Sequence, residues 1–233
     1  MTHSTSTRPT AIHVVWDWNG TLRDDLDDHV AALNATLPAL GGTPVSRETY
    51  RAEHRVPIPR FYEALLGRPI SEAEWQTSDA AFLDALAKRP VRLRTGARQL
   101  MLRLRARGLG QSLLSLAPHD VLVREVAQAG IGGLLTRVDG RTSTSGGTKG
   151  MALAAHLQAL GDHIDPARTL VIGDSLDDAA AARAVGAYPV LHTGGLHCAE
   201  RLTVPGVPLV HTLDDAVASG IAALTHQQLT AAA

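Results

Sequence analysis

Cysteine is nearly absent from these 233 residues. Cys198 stands alone, which excludes an internal disulfide framework and any zinc site built from several thiolates. Aromatic residues make up only 3%, too few for a platform that stacks single-stranded bases. Neither sign of charge is in excess: 22 basic and 23 acidic residues give a formal net charge of −1, so no bulk field favours nucleic acid or an anionic membrane. No apolar run approaches the ~18 residues of a membrane span. Met1–Thr10 (MTHSTSTRPT) is polar, lacks the apolar stretch of a secretory signal and reads as a frayed tail. The expectation is a cytoplasmic protein with no nucleic-acid or membrane partner, which agrees with an unpaired thiol. Lysine is the scarcest charge: Lys88 and Lys149 are the only two, against twenty arginines. Any task that specifically needs an amine has two candidates.

The residues that are present describe a globular chain, 45% hydrophobic and 19% charged. Ile12–Trp16 (IHVVW) is a short β-branched run that stops at the turn residues Asp17-Trp18-Asn19-Gly20-Thr21. From Asp24 to Leu40 apolar residues recur at three- and four-residue steps, and Gly41-Gly42 ends the run. Further helical stretches are predicted at Ser46–Arg55, Pro59–Leu66 and Ser71–Lys88, the last opening on a capping box, Ser71-Glu72-Ala73-Glu74. Strand and helix then alternate. The predicted strands are Gly110–Ser115, Leu134–Val138, Thr169–Ile172, Tyr188–Leu191 and Pro208–Val210. The predicted helices are Ala97–Arg107, His119–Ala129, Lys149–Leu160, Leu176–Val185 and Leu213–Ala218. Repeated β-then-α units imply an α/β fold, a doubly wound parallel sheet covered on both faces. An all-helical insertion after the first strand divides the chain into a core domain, 1–23 and 90–233, and a helical domain, 24–89. Such sheets bind ligands where strands end.

Four polar clusters fall at those ends: Asp17, Asn19 and Thr21; Ser115; Lys149; and Asp174, Asp177 and Asp178. Singly, each is an ordinary helix cap or a solvated charge. In this order they resemble the four signature motifs of the haloacid dehalogenase-like hydrolase superfamily. Val14-Val15-Trp16-Asp17-Trp18-Asn19-Gly20-Thr21 is similar to the first motif, hhhDxDGT. Ser115 matches the second, Lys149 the third, and Gly173-Asp174-Ser175-Leu176-Asp177-Asp178 the fourth, GDxxxD. The resemblance runs from about Ile12 to Ala218. It implies a Rossmann-like core, makes the helical insertion similar to the family's C1 cap, and points to the phosphoglycolate phosphatase-like branch.

The resemblance and the chemistry of the residues agree on phosphoryl transfer. A carboxylate that attacks phosphorus splits one hard hydrolysis into two easier steps, through an aspartyl-phosphate. Asp17 is the candidate nucleophile. Two anions repel, so a Mg²⁺ ion with oxygen ligands is expected, held by Asp17, Asp174 and the backbone carbonyl of Asn19, with Asp178 acting through a bound water or as an acceptor behind the ligands. Asp178 is preferred to Asp177 on spacing. Lys149 neutralises charge, while Ser115 and backbone amides near Trp18 and Asn19 bond the phosphate oxygens. Gly20 and Thr21 complete the phosphate loop, and Trp18 faces the insertion or packs beneath it. Within Tyr50–Tyr62, Arg55 and Arg60 are candidates for a substrate carboxylate or second phosphate; otherwise they are surface charges.

The expectation is a Mg²⁺-dependent phosphomonoester hydrolase of a small phosphorylated metabolite, acting as a monomer or homodimer. One departure qualifies it. The family's residue two after the nucleophile is usually an acid that protonates the leaving group; here it is Asn19, which removes help worth ~10²–10⁴-fold. Three consequences stand open: slow hydrolysis favouring good leaving groups, substitution by another carboxylate such as Asp24 or Asp25, or a phosphate-binding or scaffolding homologue without turnover. A transferase on the same fold is a further alternative. A dehalogenase fits less well, because it needs no metal cluster. Cys198 with His192 and His197 offers too few ligands for zinc.

Overall fold

The strand His13–Trp16 (β1) forms because four consecutive residues, two of them valine, can be buried on both faces of a parallel sheet; all four are buried. In the computed structural model, which describes residues 11–55, 57–142 and 148–231, β1 lies at the centre of a six-stranded sheet. The others are Gly110–Pro118 (β2), Val138–Arg141 (β3), Thr169–Gly173 (β4), Tyr188–His192 (β5) and Leu209–Val210 (β6). Their order is β3-β2-β1-β4-β5-β6, and each neighbouring pair is parallel. The termini Met1–Thr10, and Gly146 and Gly147 of the glycine-rich run, lie outside the described residues.

Alternate side chains along each strand feed two cores, as a two-residue period requires. Val14, Trp16, Leu113, Leu170 and Ile172 join one, beneath Ala97–Ala106 (α5), His119–Gln128 (α6) and Leu213–Ala231 (α10). Val15, Leu114 and Val171 join the other, beneath Lys149–Leu160 (α7) and Leu176–Val185 (α8). Burying one leucine fully there contributes about 1.5–3 kcal/mol.

Between β1 and β2 the chain makes Leu26–Thr36 (α1), Arg47–Glu53 (α2), Ile58–Leu66 (α3) and Glu72–Ala87 (α4), and no named strand among the described residues. Gly41, at φ +76°, ends the 3₁₀ turn after α1 in the left-handed region that glycine adopts without strain. Ser71 and Glu74 form the expected capping box. These helices enclose their own core of Leu26, Leu33, Leu37, Tyr50, Phe61 and Tyr62, joined by Leu196 from the sheet side.

Three expectations need correction. The third strand is Val138–Arg141, not Leu134–Val138: Gly132–Leu134 is a 3₁₀ turn, and Leu134 and Leu135 pack into the core from a loop. The last helix runs to Ala231, well past Ala218. Gly220 does not break it but lets it touch the sheet, since a Cβ there would lie 2.3 Å from the Leu170 side chain. A short helix, Ala199–Leu202 (α9), was not expected. Among the described residues no helix is long and apolar enough to cross a membrane.

Candidate active site

Strand order decides which side chains meet. β1 lies between β2 and β4, so the residue that follows β1, Asp17, comes between Ser115 of β2 and Asp174 after β4. The Asp17 N–H still donates to the Ile172 carbonyl at 2.9 Å, which fixes where its side chain starts. Lys149 is the first residue of α7, behind the N-cap Thr148. Its ammonium lies 2.5 Å from Asp17 Oδ1 and 2.5 Å from Asp178 Oδ1. Asp17, Asp174 and Asp178 present oxygens within 4.8 Å of one another, and all three are buried. These residues, Asn19 and Ser115 border a cavity of about 380 Å³, except that Asp178 lies just behind its wall. Asp177, one residue earlier, lines the cavity and is half-buried.

Glycines make this convergence possible. A Cβ on Gly173 would lie 2.1 Å from Asp178 Cγ, so that carboxylate folds back over the strand end. Its Oδ2 accepts bonds from the Ser175 N–H at 3.1 Å and the Ser175 hydroxyl at 2.6 Å, which caps α8. Asp174 sits in a cradle where a Cβ on Gly20 or Gly195 would fall 2.4 or 2.0 Å from its Oδ2. The Leu196 N–H donates to that same oxygen at 2.5 Å.

Three carboxylates against one ammonium leave two uncompensated negative charges out of water. Burial pushes Asp17 up to about 6, opposed by Lys149 and reinforced by Asp178. Burial, with Asp17 and Asp178, holds Asp174 well above the usual carboxylate range. Burial works against the Lys149 ammonium, but the two carboxylates outweigh it and keep it charged. A hard, oxygen-only donor set with two surplus negative charges fits a divalent cation such as Mg²⁺.

Asn19 is held firmly. Its Nδ2 donates to Asp25 Oδ2 at 2.6 Å, and the Gly20 N–H donates to Asp25 Oδ1 at 2.8 Å. A carboxylate only accepts, so the amide nitrogen of Asn19 must face Asp25, and its Oδ1 and second N–H are left for other partners. Asp25 is itself buried, within 3.2 Å of His29 Nε2 and 3.5 Å of Arg23 Nε, and its carboxyl is held low. Burial opposes this; His29, Asn19 and Arg23 prevail.

The residues read as substrate contacts divide. Arg55 lines the cavity, but its guanidinium is bonded to the side chain and carbonyl of Glu53. Arg60 is exposed, pairs with Glu63 at 2.9 Å and does not border the cavity. Trp18 does not reach the insertion: it is fully buried in the core beneath α6, its Nε1–H donating to Glu125 Oε2 at 2.7 Å. Its alternation along the chain turns it away from Asp17. Thr21 is buried beside Asp17. Cys198 precedes α9, and among the described residues no Cys–His group is arranged for a metal.

The sequence reading missed how the loop after β5 holds the site. Arg51 of α2 donates to the carbonyls of Thr193 and of Gly195, the latter at 2.9 Å, so the helical insertion braces the cradle of Asp174. The Gly194-Gly195 pair was the available signal. His29, His54 and His197 also line the cavity, with His54 Nδ1 3.3 Å from His197 Nε2.

Residues 13–186 match a family model for haloacid dehalogenase-like hydrolases. The chain is 26% identical over 190 residues to the phosphoglycolate phosphatase of Synechococcus elongatus, covering 79% of this chain and 84% of that protein. Its fold is similar to the crystal structure of a predicted phosphoglycolate phosphatase from Haemophilus somnus, with TM-score 0.72 and 18% identity over 91% of this chain and 99% of that one. It is likewise similar to a haloacid dehalogenase-like protein of Streptococcus pneumoniae, with TM-score 0.76 and 18% identity over 90% and 98% of the two chains.

Proposed function

The chain belongs to the haloacid dehalogenase-like hydrolase family, and from that premise we propose that it is a phosphatase which hydrolyses small phosphomonoesters through an aspartyl-phosphate at Asp17. The observation that carries this reading is the lysine bridge. One buried ammonium lies 2.5 Å from Asp17 and 2.5 Å from Asp178, and it borders one cavity together with Asp17 and Asp174.

Asp17 Oδ attacks phosphorus, and the ester P–O bond breaks as the new bond forms. Lys149 offsets the charge brought together by nucleophile and phosphate. The Ser115 hydroxyl and the amides after Asp17 bond the equatorial oxygens, whose charge is largest in the transition state. Water then attacks the same phosphorus and restores the carboxylate. Asn19 Oδ1 orients that water by accepting a hydrogen bond, and the proton leaves to solvent because an amide does not take it. Asp17, Asp174 and the backbone carbonyl of Asn19, with Asp178 behind them, would hold a Mg²⁺ ion, which would supply the positive charge that lets one anion approach another. Residues 24–89 act as the cap domain over the core formed by 1–23 and 90–233, closing the site against water.

The test is phosphate release from acetyl phosphate in the presence of Mg²⁺, together with trapping of BeF₃⁻ on Asp17. Asp17→Asn should lower turnover by about 10³-fold or more, as loss of a nucleophile does. Release that is unchanged in a folded Asp17→Asn protein overturns the reading. Trapping without turnover would instead support the phosphate-binding reading that Asn19 suggests.

A further inference from the structure

We infer that the alcohol this enzyme releases is aromatic: the substrate class is an aryl phosphate monoester, its ring seated in a pocket beneath the helical insertion. The inference rests on the phosphatase reading of the preceding subsection.

A second cavity of about 250 Å³ adjoins the catalytic one, and Asn19, His29 and Ile58 belong to the walls of both. Its walls include Phe61, Tyr62, Trp75, Phe82, Leu86 and Val121. Five of the eight aromatic residues in the whole chain, Tyr50, Phe61, Tyr62, Trp75 and Phe82, belong to this lining, although the insertion is a minor part of the sequence. Their rings already meet edge to face, Tyr62 with Trp75 at 5.9 Å and Tyr50 with Phe61 at 5.1 Å, a geometry that accepts one more ring. A dry cavity of about 150 Å³ is enough for benzene, so this one accommodates one or two fused rings.

The charged groups at these walls are already engaged. Arg23 pairs with Glu125 at 2.6 Å and lies 3.5 Å from Asp25, so two carboxylates offset its charge although its Nε and one Nη make no hydrogen bond, and Asp79 stands in the field of Arg141. His54 stacks on Tyr50 at 5.1 Å and T-contacts Phe61 at 5.2 Å, as an uncharged ring does. A leaving group seated here meets walls that are mostly aromatic and aliphatic.

The catalytic end requires the same chemistry. The Asn19 amide gives one N–H to Asp25, and an amide N–H is too weak an acid to be transferred, so this side chain gives up no proton to the leaving oxygen. An alkoxide, about as basic as hydroxide, leaves poorly without a proton; a phenolate, with a conjugate acid near pKa ~10, does not need one. As Asp17 Oδ bonds to phosphorus, the P–O(aryl) bond breaks with its electron pair on the phenolate oxygen, which takes a proton from solvent after release. Two independent features, an aromatic pocket and a missing acid, point to one substrate class.

The experiment compares kcat/KM of the intact protein with Mg²⁺ for 1-naphthyl phosphate, phenyl phosphate, 2-phosphoglycolate and acetyl phosphate. 1-Naphthyl phosphate should exceed phenyl phosphate by about tenfold, because leaving groups of similar basicity differ there in buried apolar area. Both should exceed 2-phosphoglycolate. Phe82→Ala should lower the ratio of naphthyl to acetyl phosphate by about tenfold, the scale of a lost apolar contact. Leu86→Ala, on the same wall, serves if Phe82→Ala does not fold. An equal or higher value for 2-phosphoglycolate, or a ratio that neither variant moves, overturns the inference. Turnover of acetyl phosphate alone would leave the Asp17 reading standing while this one falls; no release from any of the four sinks both.

Discussion

The two ends of the cleft treat buried charge in opposite ways. At the sheet end three carboxylates and one ammonium are buried together, a surplus of negative charge that a divalent cation would balance. At the insertion end two histidine rings, His54 and His197, are pushed toward the neutral form. Burial, with the nearby His197, holds His54 well below the usual range, and burial with Arg201 pushes His197 down to about 4. The sheet end is organised by backbone: each carboxylate follows a strand or opens a helix, and glycines clear its path. The insertion end is organised by side-chain packing. A site for a phosphate and a site for a ring have different requirements, and the chain meets them with different materials.

The sharpest way to break that division is to move a carboxylate across it. Asn19→Asp alone sets a second carboxylate about 2.6 Å from Asp25, taking the distance of the present hydrogen bond. Like charges that close share one proton, so the new acid is not free to cycle. Asn19→Asp/Asp25→Asn exchanges the two groups and lets the amide support the acid. The double variant should raise kcat for an alkyl phosphate by about 10²-fold, general acid–base help of ordinary size, and leave aryl phosphates within a few fold. The single variant should gain less than the double. A single variant that matches the double would show that Asp25 does not control the position.

Acid separates the ends in the other direction. A histidine whose folded pKa is lowered contributes stability above its unfolded value of 6.5, and that stability is lost as pH falls toward the folded value. For His197 the window runs from 6.5 to about 4, a loss of about 1–2 kcal/mol by pH 5. His192, which burial and Arg94 push down to about 3, loses stability over a window that extends lower. Asp17, raised to about 6, has the opposite sign: its folded form takes up a proton first and so gains stability as pH falls. Chemical unfolding of His197→Gln at pH 7.5 and pH 5 should show a fall smaller than wild type by about 1–2 kcal/mol. An equal fall in both proteins would place the acid sensitivity elsewhere.

How much of this was legible follows the same line. The strand ends were readable because β-branched runs, turn glycines and helix caps act over a few residues. β1, β2 and β4 therefore fall close to their expected places, with Asp17 and Asp174 just past the ends of β1 and β4, although β2 runs beyond Ser115 to Pro118. β3 was not readable, because a short edge strand of sequence VDGR is recruited by pairing with β2 and carries no hydrophobic pattern of its own. The tie between Asn19 and Asp25 spans six residues, yet nothing in the types of those residues says that their side chains meet. The aromatic pocket was hidden for a related reason: Trp75 and Phe82 read as ordinary helix-core residues, and only the fold, which sets residues of β2 and α6 around the same cavity, turns them into a wall.

Arg51 crosses the division, and the smallest predicted effect tests whether the two ends are coupled. It rides on α2 in the insertion, yet its guanidinium donates to two carbonyls of the loop at Thr193 and Gly195. The same loop gives the Leu196 N–H to Asp174, and Gly195 leaves room for that carboxylate. The contact is reinforced nearby, where the Cys198 N–H donates to the Arg51 carbonyl at 3.2 Å and Arg201 Nη1 to the Ala52 carbonyl at 2.5 Å. Hydrogen bonds from a charged donor contribute about 1.5–3 kcal/mol, but water replaces part of this at a half-buried site. Arg51→Ala should therefore lower kcat/KM by about tenfold, or ~1.4 kcal/mol. The loss should be the same for aryl and acetyl phosphate, because it acts through Asp174 and not through the ring pocket. It should also raise the Mg²⁺ concentration needed for half-maximal activity, while Arg51→Lys, which keeps the charge but not the fork, falls between. A loss confined to aryl phosphates would place Arg51 with the pocket, and the insertion would then shape the substrate site without bracing the carboxylates.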